Sequence, residues 1–137
     1  MKKEINVEII TPSKSAYKGE AKSVTLPGTV GNFQVLYNHA PLLSSLEIGR
    51  IKIEEANENQ IEFATAGGTV EVRNNKILVL ADSVEMKKEI DVERAQQSYQ
   101  RAKERLSMRS SGDVDVARAE ASLQRAINRM KLAGKSI

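Results

Sequence analysis

The spacing of the hydrophobic residues changes near residue 86, and this change limits what the chain can fold into. Before it, apolar and polar residues alternate, as in the stretches 5–9 and 51–54. Alternation with a period of two is typical of a β-strand with one buried face. After it, apolar residues recur every three, four or seven positions, as on one face of an α-helix. The sequence therefore predicts a mainly β part followed by an α part.

Short strands fill the first part. Apolar runs at 23–26, 33–36, 61–65, 69–72 and 77–81 are separated by the turn signals Pro27-Gly28, Gly67-Gly68 and Asn74-Asn75. Many short strands at such spacing favour an antiparallel β-sandwich or a flattened barrel.

The second part contains the same segment twice. DVERAQQSYQRAKERL, which begins at Asp91, and DVARAEASLQRAINRM, which begins at Asp115, agree at nine of sixteen positions with an offset of 24 residues. Asp91 is a plausible N-cap of the first helix, Asp113 or Asp115 of the second, and Gly134 a C-terminal cap. Two such helices with a short connection predict an antiparallel hairpin. An alanine-rich seam buries little apolar area, so we expect a hairpin that can open.

Arginines occupy equivalent positions in both copies. They are Arg94, Arg101 and Arg105 in the first copy, and Arg118, Arg125 and Arg129 in the second. Steps of seven and four keep each set on one side of its helix, beside the alanine stripe. The first arginine of each set lies in the first turn, where the helix dipole disfavours a cation by some tenths of a kcal/mol.

Three interpretations of these arginines stay open on the helices alone. A solvated face with i,i+4 ion pairs is the plainest. A bound phosphate or nucleotide is the second, since guanidinium groups bind such anions bidentately. An acidic protein surface or a nucleic acid is the third. Nucleic acid is the weakest partner, because aromatic stacking residues are scarce at 4% of the chain.

Composition excludes several other classes. Residues 1–86 carry 9 Lys and Arg against 11 Asp and Glu, whereas residues 87–137 carry 12 against 7, so the basic character belongs to the tail. The chain has no cysteine, and its single histidine, His39, is a poor metal ligand for which a turn-stabilising role is favoured. No apolar run approaches the ~20 residues that span a bilayer, and the first residues do not resemble a signal peptide. No nucleophile, base and orienting group stand out, so we expect neither an enzyme nor a catalytic residue.

Several stretches along the whole chain combine into one recognisable pattern: Leu26-Pro27-Gly28, Gly31, Phe33, Val35-Leu36, Asn38-His39-Ala40-Pro41-Leu42-Leu43, Gly49, Ala66-Gly67-Gly68, Val70-Glu71-Val72, Val79-Leu80-Ala81-Asp82 and Asp91-x-x-Arg94-Ala95. With this pattern the chain resembles the epsilon subunits of bacterial F-type ATP synthases, whose mitochondrial counterpart is called delta.

The resemblance implies a domain organisation and a position in the ATP synthase complex. It implies a ten-strand sandwich over 1–84, a hinge over 85–90 and a regulatory hairpin over 91–137. It also implies a rotor subunit peripheral to the cytoplasmic face of the bacterial plasma membrane, bound to the gamma subunit and the c-ring of a proton- or sodium-translocating synthase. When the helices extend, they would meet the alpha and beta subunits and inhibit ATP hydrolysis.

Some members of the family bind ATP as a regulatory ligand on the folded hairpin. The resemblance assigns this role to eight positions: Glu85, Ile90, Asp91, Arg94, Ala95, Arg101, Arg125 and Arg129. It implies no catalytic cofactor and no metal. Asp91 would accept a hydrogen bond from the adenine amino group, Ala95 would leave room for the ring, and the arginines of both helices would bind the phosphates.

The resemblance also implies a contact loop for the c-ring and gamma. Its residues would be Gly31, Asn32, Phe33, His39, Pro41 and Leu42. This chain departs from the family there, because Asn32 replaces a frequent acidic residue and Tyr37-Asn38 replaces Pro-Gly. The alternative from another class is a β-sandwich adaptor whose basic helical tail binds an anionic polymer or an acidic protein.

Overall fold

The chain consists of two compact units, Met1–Met86 and Lys87–Ile137. The computed structural model describes residues 3–108, 110, 112 and 114–134. The first unit is a β-sandwich and the second a two-helix hairpin, which confirms the predicted fold class. Asp113, one of the two predicted caps of the second helix, lies outside the described residues.

Seven strands form the first unit. They are β1 (Ile5–Ile10), β2 (Ser15–Gly28), β3 (Gly31–Leu36), β4 (Leu42–Glu55), β5 (Gln60–Arg73), β6 (Lys76–Ala81) and β7 (Val84–Met86). The pairings run β1-β6-β5-β4-β2 and return from β2 to β1, so the sheet closes on itself, with β3 attached to β2 and β7 to β5. Closure leaves few unpaired strand edges in the described sandwich.

The described residues of the sandwich form seven strands and not the expected ten, because three of the seven strands are long. Strands β2, β4 and β5 each have 14 residues, and β5 pairs with β7 through residues 63–65 and with β6 through residues 68–73. The prediction of a turn at Gly67-Gly68 was wrong, because both glycines lie inside β5. Their φ angles of +108° and +145° bend the strand without ending it, and a Cβ on Gly68 would lie 2.2 Å from the Leu80 carbonyl oxygen.

One pairing departs from the expected antiparallel pattern. Strand β1 runs antiparallel to β2 but parallel to β6, with Val7 opposite Ile77. The two strands are far apart in the chain, so no hairpin turn fixes their relative direction. The Asn74-Asn75 turn between β5 and β6 forms as predicted, with φ angles of +51° and +59°.

Aliphatic side chains build the core of the sandwich. Its largest fully buried members are Phe63, Ile5, Ile9, Leu26, Ile51, Ile53 and Ile77. The Tyr17 ring meets Phe63 edge to face at 5.9 Å between centroids, and the Tyr17 hydroxyl donates to Glu55 Oε2 at 2.6 Å. Burial raises the pKa of Tyr17 above its ordinary value, and Glu55 raises it further through the hydrogen bond and its charge.

The second unit begins with a short 3-10 turn at Lys87–Glu89, followed by α1 (Val92–Ser107) and α2 (Val116–Leu132). The boundary between the units falls after Met86, two residues beyond the boundary implied by the resemblance, because Glu85 and Met86 pair with β5. Neither described helix combines the length and the apolar character needed to cross a membrane.

Candidate functional site

The two helices of the hairpin begin with the same local structure. Asp91 precedes α1 with φ −81° and ψ 100°, and Asp115 precedes α2 with φ −79° and ψ 97°. The Asp91 carboxylate accepts from the backbone N–H of Arg94 at 3.1 Å, and the Asp115 carboxylate accepts from that of Arg118 at 3.0 Å. Both aspartates are thus N-caps, and the sequence repeat is also a repeat of geometry.

The buried residues of the helices are mostly alanines. Ala95 and Ala102 are buried on α1, and Ala119, Ala126 and Met130 on α2. The helices contact each other, and alanine side chains allow two helix backbones to come close. The second helix ends at the predicted glycine, since Gly134 has φ +76° and its N–H donates to the Lys131 carbonyl at 3.0 Å.

The six arginines lie to one side of these buried stripes. At 100° per residue, Arg94, Arg101 and Arg105 stand roughly 80–120° from Ala95, and the arginines of α2 stand at the same angles from Ala119. The helices of an antiparallel hairpin are related by a two-fold rotation, so equal offsets place both rows on one face. We call this the arginine face.

Most of the arginine face is exposed and free of ion pairs. Five of the six side chains are exposed and that of Arg129 is half-buried. Among the described residues, Arg94, Arg101, Arg105 and Arg118 form no ion pair, and Arg125 donates to the Ser122 hydroxyl at 3.1 Å. Intrahelical ion pairs therefore do not account for these four arginines within the described residues.

A cavity lies beside α1 in the described part of the hairpin. This cavity of about 710 Å³ is lined by residues of α1 between Glu93 and Arg101 and by Met130 of α2. Of the predicted residues only Arg101 lines it, because the cavity lies mainly along the glutamine side of α1. Ile90 and Asp91 lie at the start of α1, whereas Glu85 lies in β7 of the sandwich unit opposite Ala64.

The residues predicted for rotor contact lie at both ends of β3 and not in one loop. Gly31, Asn32 and Phe33 begin the strand and pair with β2, and His39 and Pro41 follow its end. At about 3.3 Å per residue, the strand separates the two groups by roughly 15–20 Å. The expectation of a single contact loop was therefore wrong, because residues 31–36 form a regular strand.

The second group has a well-defined turn. The His39 N–H donates to the Leu36 carbonyl at 3.1 Å, and the His39 Nδ1 lies 2.6 Å from the Ala40 carbonyl oxygen. This arrangement confirms the turn-stabilising role predicted for His39. Among the described residues, no group of His, Cys, Asp and Glu is placed to hold a metal ion.

Exposed leucines lie on both sides of Glu71 on the outer face of strands β4 to β6, and we call these leucines the apolar patch. Leu43 lies opposite Glu71, which lies opposite Leu78, and Leu80 is the next outward residue of β6. Leu43 is 76% exposed and Leu80 49% exposed. This patch is absent from the sequence predictions, although the sequence signals it: residues 77–81 contain no polar residue, which is typical of a strand covered on both faces.

Two family models cover nearly the whole chain. The model described as ATP synthase, Delta/Epsilon chain, beta-sandwich domain matches residues 4–87, and the model described as ATP synthase, Delta/Epsilon chain, long alpha-helix domain matches residues 88–134. The chain belongs to the ATP synthase delta/epsilon family. It is therefore a non-catalytic chain of that complex.

Curated relatives agree with the family models. An ATP synthase epsilon chain of Salinibacter ruber is 43% identical, with 77% of this chain and 76% of the relative covered. That of Pelotomaculum thermopropionicum is 42% identical over 76% and 77% of the two chains, and that of Desulforamulus reducens 41% over 81% and 83%.

Two solved structures share the fold. A chain in the Euglena gracilis mitochondrial ATP synthase, OSCP/F1/c-ring, matches with a TM-score of 0.79 at 15% identity, covering 93% of this chain and 80% of that one. A chain in the Tetrahymena thermophila mitochondrial ATP synthase central stalk/c-ring matches with a TM-score of 0.54 at 22% identity, covering 65% and 71%.

Proposed function

We propose that this chain is a central-stalk rotor subunit of a proton- or sodium-translocating F-type ATP synthase, peripheral to the cytoplasmic face of a bacterial membrane. In this role it couples the catalytic head to the c-ring. The exposed leucines Leu43 and Leu80 carry the proposal, because large apolar side chains exposed on one face of a sandwich are typical of an interaction surface.

The gamma subunit is the partner that we assign to this apolar patch. The two ends of β3 then contact the c-ring and gamma through the residues Gly31, Asn32, Phe33, His39, Pro41 and Leu42. Co-purification of gamma with the tagged chain tests the assignment. Leu43→Glu is expected to reduce that yield strongly, whereas Asn59→Glu, in the exposed turn between β4 and β5, leaves gamma binding unchanged.

The hairpin acts as a latch that ATP closes. The phosphates bind Arg94 and Arg101 of α1 and Arg125 and Arg129 of α2, while Asp91 accepts from the adenine amino group and Ala95 makes room for the ring. Glu85 binds the ribose side, and Ile90 packs near the base. Support comes from Arg94 and Arg101, which form no ion pair among the described residues, and from the second carboxylate oxygen of Asp91, which the capping bond leaves available.

Ligand linkage predicts the strength of this effect. A ligand that bridges both helices stabilises the closed hairpin by RT ln(1 + [L]/Kd), which is about 2.7 kcal/mol at one hundred times Kd. ATP is therefore expected to raise the melting temperature of the full chain. Arg125→Ala removes most of the shift, and Arg105→Ala, which lies on the same face outside the assigned set, retains it. An unchanged melting temperature at saturating ATP would contradict the proposal that ATP closes the hairpin.

The open hairpin acts as a brake on hydrolysis. Residues 87–137 carry a net charge of +5, which suits acidic segments of the alpha and beta subunits. The hinge that allows opening lies over residues 85–90, before α1, where the Ile90 N–H donates to the Lys87 carbonyl at 3.3 Å. Deletion of residues 91–137 is expected to raise ATP hydrolysis by the assembled complex, and unchanged hydrolysis argues against a brake.

A further inference from the structure

Two asparagines connect the turn after β3, residues 37–41, to the turn between β5 and β6 by hydrogen bonds. The Asn38 N–H donates to Asn75 Oδ1 at 2.6 Å, and Asn75 Nδ2 donates to Asn38 Oδ1 at 3.2 Å. The two residues are 37 positions apart. We call this pair of hydrogen bonds the asparagine clasp.

Both clasp residues have the left-handed backbone conformation. Asn38 has φ +64° and Asn75 has φ +59°. Asparagine tolerates this region better than most residues with a side chain, and unlike glycine it adds an amide that can bond. At residue 38 the clasp therefore needs a side-chain oxygen, which asparagine or aspartate supplies, and at residue 75 it needs the asparagine amide.

Asn75 joins three parts of the sandwich at one point. Its side chain holds the turn after β3, its backbone lies in the β5–β6 turn, and its carbonyl accepts from the Asn6 N–H of β1 at 3.0 Å. The turn's bonds from the His39 N–H to the Leu36 carbonyl and between His39 Nδ1 and the Ala40 carbonyl are local. Of the hydrogen bonds that residues 37–41 form with described residues, those of the clasp are the ones that reach a distant part of the chain.

We propose that Asn38 and Asn75 are positioning residues that fix the direction in which the turn presents His39 and Pro41 to the c-ring. The inference rests on the proposed rotor contact. The local bonds keep the shape of the turn, and the clasp sets its orientation on the rigid sandwich. A contact residue held in a fixed orientation loses less conformational entropy when it binds its partner.

Asn75→Gly tests the clasp, and Asn74→Gly is its matched control. Both substitutions place glycine at a residue with positive φ in the same turn, but only the first removes the two bonds to Asn38. In the full chain, amide exchange at Asn38 is expected to be about fivefold faster in Asn75→Gly, the change for one hydrogen bond of about 1 kcal/mol. Asn74→Gly and the conservative Asn38→Asp, which keeps both bonds, stay near the wild type.

The functional readout uses the assembled complex. A cysteine at the exposed Ala40 is cross-linked to cysteines in the polar loops of the c-ring. We expect Asn75→Gly to lower the yield at least about twofold, in line with the exchange change, while Asn74→Gly and Asn38→Asp leave it unchanged. If Asn75→Gly speeds amide exchange at Asn38 but leaves the cross-link yield unchanged, the positioning role is overturned. Unchanged amide exchange at Asn38 overturns it as well. No cross-link from Ala40→Cys in the otherwise wild-type chain overturns the rotor contact itself, and the clasp's role with it.

Discussion

The sandwich and the hairpin are stabilised in different ways. The sandwich closes its sheet and buries large aliphatic side chains and Phe63, whereas the buried residues of the helices are four alanines and Met130. At about 25 cal/mol per Å² of apolar surface, an alanine contributes far less than an isoleucine. One chain thus joins a strongly packed unit to a weakly packed one, as the proposed rotor subunit with mobile helices requires.

The largest effect is expected in the core of the sandwich. Phe63→Ala removes its largest fully buried side chain and the edge contact with Tyr17, and should lower the free energy of unfolding by about 3–5 kcal/mol. Denaturant unfolding followed by circular dichroism measures the loss. A change below about 1 kcal/mol would contradict the view of a single tightly packed core.

Tyr17 provides a pH-dependent effect in the same unit. Its folded-state pKa is raised above the ordinary 10.0, so the unfolded chain loses the phenolic proton first as the pH rises. Stability is then retained below pH 10 and lost above it, by at most ~1.4 kcal/mol per pH unit for one proton. Tyr17→Phe is expected to remove this slope between pH 10 and 11. An unchanged slope would mean that other groups cause it.

The two caps give a matched pair in the hairpin. Asp91→Ala and Asp115→Ala each remove one N-cap bond, of 3.1 and 3.0 Å, and should each cost about 1 kcal/mol of helix stability. Only Asp91→Ala is also expected to reduce the melting shift caused by ATP. Equal shifts in the two variants would show that the repeat copies are equivalent and would argue against the assigned nucleotide orientation.

Local signals in the sequence predicted local structure well. The 24-residue repeat, the caps at Asp91 and Asp115 and the glycine at 134 depend on neighbouring residues, and the structure confirms each of them. The errors concern distant pairing. Whether Gly67-Gly68 ends a strand or bends it depends on which backbone groups of β4 and β6 pair with it.

The candidate sites, like the secondary structure, were predicted where they depend on neighbouring residues and missed where they depend on distant ones. The arginine face follows from helical spacing, so the sequence alone predicted it. The Asn38–Asn75 clasp could not be predicted, because it joins residues 37 positions apart through side-chain amides. The apolar patch at Leu43 and Leu80 was signalled only by the unbroken apolar run of β6, and the strand partners that complete it come from the fold.

Amide hydrogen exchange of the full chain, with and without ATP, tests the central contrast most directly. Without ATP, the amides of Ala102 and Ala126 in the helices should exchange faster than those of Ile51 and Phe63 in the sandwich, and ATP should slow the helices only. Equal exchange in the two units, or helix exchange that ATP leaves unchanged, would contradict a rigid sandwich that carries an ATP-closed hairpin.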